Sequence, residues 1–205
     1  MQNRSAKAGR LYFVKEEIID YCKWANITHP EDLEIKIIKD YNCKLDVCDA
    51  DSDVIFESEK KPLTMQEYEM LKALCLKSAL DFLELYNSIP GKDYSNLPNR
   101  KTFYGTVPRT ANEMYDHTKN VNDYYFGEIC IEADNEGDIY DCRARAFKTL
   151  EQTHGFLENK VYDGSYNEQW TLRKMLRRFI WHDRIHAKAM RNFVCKTVGK
   201  WVTFR

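Results

Sequence analysis

No stretch of this chain approaches the roughly 20 consecutive apolar residues that a membrane-spanning helix needs, and Met1 to Arg10 holds basic and small polar residues but no apolar signal-peptide core. Neither membrane insertion nor secretion by a signal peptide is expected. Charge of one sign is lacking too. The 31 Lys and Arg stand against 32 Asp and Glu in 205 residues, which removes any global electrostatic case for nucleic acid. The seven cysteines, Cys22, Cys43, Cys48, Cys75, Cys130, Cys142 and Cys195, are odd in number, widely spread and free of any CxxC pair. They read as reduced, mostly buried thiols of a cytoplasmic protein. What is present is enough aliphatic and aromatic material for one substantial core.

The first 62 residues differ in pattern from the rest. Residues 11–14, 33–38, 44–47 and 54–56 are short runs rich in aliphatic, aromatic and β-branched side chains, separated by Asn, Asp and Ser. They predict a small sheet, with residues 16–24 as one short helix. From Thr64 onward the pattern is helical. Thr64 with Glu67 forms a capping box, and Leu63 with Tyr68 has the spacing of a hydrophobic staple, so a helix is expected up to about residue 89, where Pro90-Gly91 stops it. Thr110 with Glu113 repeats the box and opens a second helix to about residue 132. Asp138 caps a third to about residue 158, and a fourth runs from about residue 167 to about residue 196. The expectation is a mainly-α chain: a small α+β module over residues 1–62 and a four-helix bundle over residues 63–205. The connection from Pro90 to Arg109 is long for a bundle and reads as a crossover or a lid.

On the fourth helix, Leu172, Met175, Leu176, Phe179, His182, Asp183, His186, Met190, Phe193 and Val194 fall within an arc of roughly 120°. Both histidines therefore face the core. Arg173, Lys174, Arg177, Arg178, Arg184, Lys188 and Arg191 fall opposite and read as a solvated face. His182 and His186 lie one turn apart, a spacing at which two imidazoles can bind one cation, although a pair of buried, hydrogen-bonded histidines fits the same spacing. A third ligand has to come from elsewhere. His117 shares an inward arc with Met114, Val121, Tyr124, Tyr125 and Glu128 on the second helix, and metal sites in bundles are built from facing helices. His154, near the end of the third helix, is the reserve ligand, and His29 lies in a loop. The segment from His182 to His186 is not a zinc-protease motif. Its intervening carboxylate is Asp183, and no His, Asp or Glu follows between Ala187 and Arg205.

The run from Trp181 through His182, Asp183, Arg184, Ile185 and His186 to Lys188 resembles the last-helix signature of the DinB-like family (DinB/YfiT-like metalloenzymes). The stretch from Met114 through His117 to Tyr124-Tyr125 is similar to that family's second-helix segment, where its first metal-binding histidine lies. The resemblance covers residues 64–205. It implies a four-helix bundle with a divalent metal, zinc or nickel, held by three histidines with water completing the shell. Characterised relatives include thiol-dependent S-transferases and a thiol-dependent isomerase.

Three neutral imidazoles leave an open coordination position, the mark of a catalytic rather than a structural site. Such a site supports small-molecule hydrolysis or transfer to a low-molecular-weight thiol. Asp183 is expected to orient an imidazole or act as base, and Tyr124 or Tyr125 to donate to developing negative charge. The alternative is a non-catalytic metal-binding or stress-associated protein. The expected partner is a small-molecule substrate, with a homo-oligomer left open and no nucleic acid or membrane. The N-terminal module is expected to pack on the bundle or on a second subunit and to narrow access to the metal.

Overall fold

Residues 2–37, 55–102 and 105–197 are described by the computed structural model. They fall into two units, Met1–Asp46 and Val47–Arg205. In the first, helix α1 (Gln2–Ala25) ends at Asn26, whose φ of 54° is left-handed. There the Ile27 N–H reaches the Cys22 carbonyl at 2.8 Å and the Asn26 N–H reaches Lys23 at 3.2 Å. This is the paired closure that an asparagine after a helix permits. The expected strand at residues 11–14 is therefore helical, and the helix expected from residue 16 begins much earlier. A four-residue apolar run cannot set its own structure when its neighbours, Ala6, Ala8, Lys15 and Glu16 among them, favour helix. Residues 33–37 carry no strand either, and residues 44–47 lie outside the described residues.

The second unit begins before the helices do. A 3-10 turn at Glu57–Lys60 takes the place of the strand expected at residues 54–56, of which residue 54 lies outside the described residues. The turn is tied inward: Arg177 donates to both Glu59 carboxylate oxygens at 2.5 and 3.2 Å, and Asn159 donates to the Glu59 and Lys61 carbonyls at 2.6 Å each. These residues, assigned by sequence to the N-terminal module, belong to the larger unit.

Helix α2 (Met65–Ser88) starts at the Thr64 cap, with Thr64 Oγ1 accepting from Glu67 N at 3.2 Å and the Glu67 carboxylate accepting from Thr64 N at 2.9 Å. The Pro90–Arg109 connection is not featureless, since a two-residue hairpin pairs β1 (Lys101–Thr102) with β2 (Gly105–Thr106). The second long helix is broken. Helix α3 (Ala111–Lys119) and helix α4 (Val121–Gly127) meet at Asn120, where ψ is 3°. Thr110 caps α3 as expected, but Glu113 returns its bond to Arg109 N instead of to the cap residue. The chain leaves α4 through Cys130 at φ 60°, short of the expected end. Helix α5 (Ile139–Glu151) is capped by Asp138, which accepts from Tyr140 N and Asp141 N. Instead of running to residue 158 it gives way to a 3-10 turn at Phe156–Glu158.

A second short hairpin, β3 (Tyr162–Asp163) with β4 (Gln169–Trp170), precedes helix α6 (Leu172–Thr197). Gly164 is required in it. A Cβ there would lie 1.9 Å from Glu128 Oε2 and 2.5 Å from Trp170 Cδ1. The last helix thus starts later than expected, with the Thr171 hydroxyl accepting from Lys174 N at 3.1 Å.

The chain is mainly α, and the strands among the described residues are two-residue pairs. Helix α6 packs against α2, α3 and α4, and α5 packs against α2 and α4. One core cluster joins Phe82, Leu85, Tyr115, Ile139, Ala187 and Met190; a Phe buried as fully as Phe82 contributes about 1.5–3 kcal/mol. The expected solvated face of α6 needs correction. Lys174 is wholly buried and Arg178 is 9 % exposed. The β3–β4 hairpin covers that side, with Lys174 Nζ bonded to Glu168 at 3.2 Å and to the Gln169 carbonyl at 2.8 Å. Lys188 and Arg191, farther along, are exposed as expected. No helix among the described residues is long and apolar enough to cross a membrane. Of the four cysteines with described side chains, Cys75 and Cys142 are buried, Cys22 is half-buried and Cys130 is exposed; all are free.

Candidate metal centre

Helix α6 presents His182 and His186 one turn apart, and the break at Asn120 leaves α3 short enough to lie beside them and bring His117 in. The three rings form a triangle. Their centroids stand 4.4 Å apart for His182–His186, 4.8 Å for His117–His186 and 5.4 Å for His117–His182. One ligand atom from each lies within 4.8 Å of the others. Tetrahedral zinc ligands at about 2.0–2.1 Å stand roughly 3.4 Å apart, so the rings have to draw in by up to about 1.4 Å to close on an ion.

The donor set suits a borderline divalent cation, and a second observation agrees: Nδ1 of His182 is buried and has no hydrogen-bond partner. His182 is 6 % exposed, His186 is half-buried and His117 is exposed, so the triangle opens to solvent on the α3 side. Burial holds His182 well below the ordinary imidazole range, reinforced by the neighbouring His186 and His117 and by Arg178 and Arg143. Burial likewise pushes His186 down to about 4, with His117 adding to the effect. His117 is lowered by burial as well; exposed as a residue, it still turns its ring onto the other two. All three imidazoles are neutral at pH 7, the form that binds metal.

Asp183 lies elsewhere than expected. Its carboxylate receives the Ser78 hydroxyl at 2.7 Å and the Arg143 guanidinium through two nitrogens, Nη1 to Oδ2 and Nη2 to Oδ1 at 3.2 Å. Both side chains of the ion pair are fully buried. One residue along a helix turns a side chain by about 100°, and that turn carries Asp183 from the imidazoles to α2 and α5.

Tyr125 and Tyr124 also separate. Tyr125 is 2 % exposed and meets His182 edge to face, with centroids 5.9 Å apart at 77°. Its hydroxyl accepts from Arg178 Nη2 at 3.3 Å. Tyr124 stands against Tyr125 and Trp170 and lines a cavity of about 650 Å³ with Glu128, Cys130 and Asp163. None of the three histidines lines that cavity. Burial raises both phenols, so both remain protonated. His154 is exposed and outside the triangle, and His29 bonds its neighbour's carbonyl at 2.9 Å.

Sequence reasoning missed Arg143, Lys174 and Arg178. Arg143 had a readable signal. It occupies an inward position in the Ile139, Cys142, Ala146, Leu150 spacing of α5, where a charge needs a buried partner. Comparison of the chain with family models, curated proteins and solved structures finds no match.

Proposed function

We propose that this protein is a metal-dependent enzyme in which His117, His182 and His186 hold a divalent ion, zinc or nickel, for thiol S-transfer or small-molecule hydrolysis. The observation that carries this reading is the convergence of three imidazoles from two helices, with ligand atoms within 4.8 Å of one another and one buried nitrogen lacking a partner. The resemblance of the α6 and α3 segments to the DinB-like family points the same way. A bound ion would supply Lewis-acid activation of a water or a low-molecular-weight thiol at the position that the three histidines leave open. The chain does the rest. His182 is fixed at the buried end, His117 lines the opening, and the α3 side admits the second reactant.

One observation favours a second reading, a protein that binds metal without catalysis: the nearest carboxylate in sequence, Asp183, is held by Arg143 and Ser78 and is withdrawn from base duty.

Elemental analysis of untagged protein, followed by titration with imidazole and thiols, tests both. One equivalent of metal that accepts these ligands supports the enzyme, whereas bound metal that accepts none supports the second reading. His182→Ala and His186→Ala are expected to abolish stoichiometric metal, His117→Ala to weaken it by more than about 100-fold, beyond what loss of an outer partner costs, and His154→Ala to leave it unchanged. Parent-like metal content in the His182 and His186 variants would end both readings.

A further inference from the structure

His182 sits in an unusual setting for a metal-binding imidazole. Such rings are ordinarily held by a carboxylate or carbonyl that accepts a hydrogen bond from the nitrogen not facing the metal. Among the described residues neither ring nitrogen of His182 has a hydrogen-bond partner, so whichever one faces an ion the other is unheld, and the carboxylate next in the chain is bound to Arg143 and Ser78. No hydrogen bond at either nitrogen resists rotation about χ2, the soft two-fold torsion of an imidazole. Something else has to set the plane of this ring.

The group in place to do so is Tyr125. Its ring meets the imidazole at 77° across 5.9 Å. It is itself fixed from three further directions: Phe179 at 5.0 Å and 65°, Trp170 at 5.3 Å and 41°, and Arg178 Nη2 on its hydroxyl at 3.3 Å. The guanidinium of Arg178 also lies within 5.8 Å of the Tyr125, Trp170 and Trp181 ring centroids, so the anchor is held in turn. Buried at 2 % exposure with its hydroxyl engaged, Tyr125 is poorly placed to meet a reacting molecule and well placed to wedge a ring.

We propose that Tyr125 is the positioning residue of the metal site, setting the plane of His182 by aromatic packing where a hydrogen-bonded carboxylate would ordinarily do so. This rests on the three-histidine reading above. It assigns Tyr125 a role exerted through His182, with Arg178 as the brace behind it. The requirement is for a flat ring at position 125, and the hydroxyl is secondary.

The test uses the full chain loaded with Co²⁺, whose visible absorption reports ligand geometry. Tyr125→Leu removes the ring and is expected to lower Co²⁺ affinity by about 10- to 100-fold, the usual cost of losing an outer partner, and to change the absorption band. Tyr125→Phe keeps the ring and is expected to retain the parent's affinity and spectrum. The control is Phe126→Leu. Phe126 is equally buried but packs on Phe147 and Phe179, so its loss is expected to lower thermal stability as much as Tyr125→Leu does while leaving Co²⁺ affinity unchanged. If Tyr125→Leu does not fold, Tyr125→Met refills the volume without a ring and carries the same expectation. Parent-like affinity and spectrum in the Leu or Met variant would overturn the inference alone, as would an equal loss in Phe126→Leu. A parent protein that binds no Co²⁺ would overturn the three-histidine reading with it.

Discussion

Two polar clusters lie on neighbouring faces of α6, one residue apart in sequence, and they are built on opposite principles. Around Asp183 opposite charges meet: a carboxylate accepts from the Ser78 hydroxyl and from two guanidinium nitrogens of Arg143, all fully buried, with Arg143 Nε left without a partner. Around His182 they do not. Three neutral imidazoles face one another, and a buried nitrogen is left without a partner. Each cluster keeps one buried nitrogen without a partner, so the orphan does not separate them; what does is that the first is a closed ion pair and the second a set of neutral donor atoms facing one another. Adjacency to a histidine in sequence is thus a poor guide to a carboxylate's role.

The largest effect expected from breaking this contrast is on the closed cluster. Asp183→Ala or Arg143→Met leaves one buried charge unpaired and should cost about 3–5 kcal/mol, read by urea denaturation, while the double change to apolar residues of similar volume should recover most of it. Metal content of the folded single variants should stay at the parent's level. Asp183→Ala that keeps full stability but loses metal would move Asp183 into the histidine cluster and erase the distinction.

The open cluster should show itself in pH. In metal-free protein the folded-state values of all three histidines lie below the ordinary 6.5, that of His186 at about 4. Between those limits the unfolded chain binds protons that the folded imidazoles refuse. Stability is therefore complete above about pH 6.5 and declines as pH falls toward 4, by an amount on the order of 1–3 kcal/mol. Denaturation midpoints at pH 7 and pH 5 measure it, and His186→Gln should reduce the difference, leaving the part that His182 and His117 carry. Identical midpoints for parent and variant at the two pH values would show that the cluster is not held neutral by the fold.

The smallest effect sharpens the comparison by touching neither cluster. Thr64→Ala or Asp138→Ala removes a helix cap and should cost about 1 kcal/mol in thermal or urea unfolding, with the pH dependence and metal content unaltered. A cap variant that also lost metal would show that the triangle depends on whole-helix placement and not on the local packing of α3 and α6.

The sequence alone determined where α2, α3 and α5 start, because a cap is a local contract: Thr64 with Glu67, Thr110 with Glu113 N, and Asp138 with Tyr140 and Asp141 form their bonds within three residues and need no distant partner. It also marked His117, His182 and His186 as ligand candidates, with His154 in reserve and a buried, hydrogen-bonded pair as the other reading, but their convergence was decided by packing. The helix ends and the strands were not decided there. Residues 11–14 became helix through their neighbours, and the break at Asn120 and the two short hairpins were settled by packing. Tertiary structure alone decided the roles around the site. Asp183 was drawn to Arg143 from another helix, Lys174 was covered by a hairpin, and Tyr125 and Tyr124 were sent to different surroundings. The physical reason is range. Capping and periodicity act over one turn, whereas the partner of a buried charge and the neighbour of a ring are fixed only when distant segments close over them.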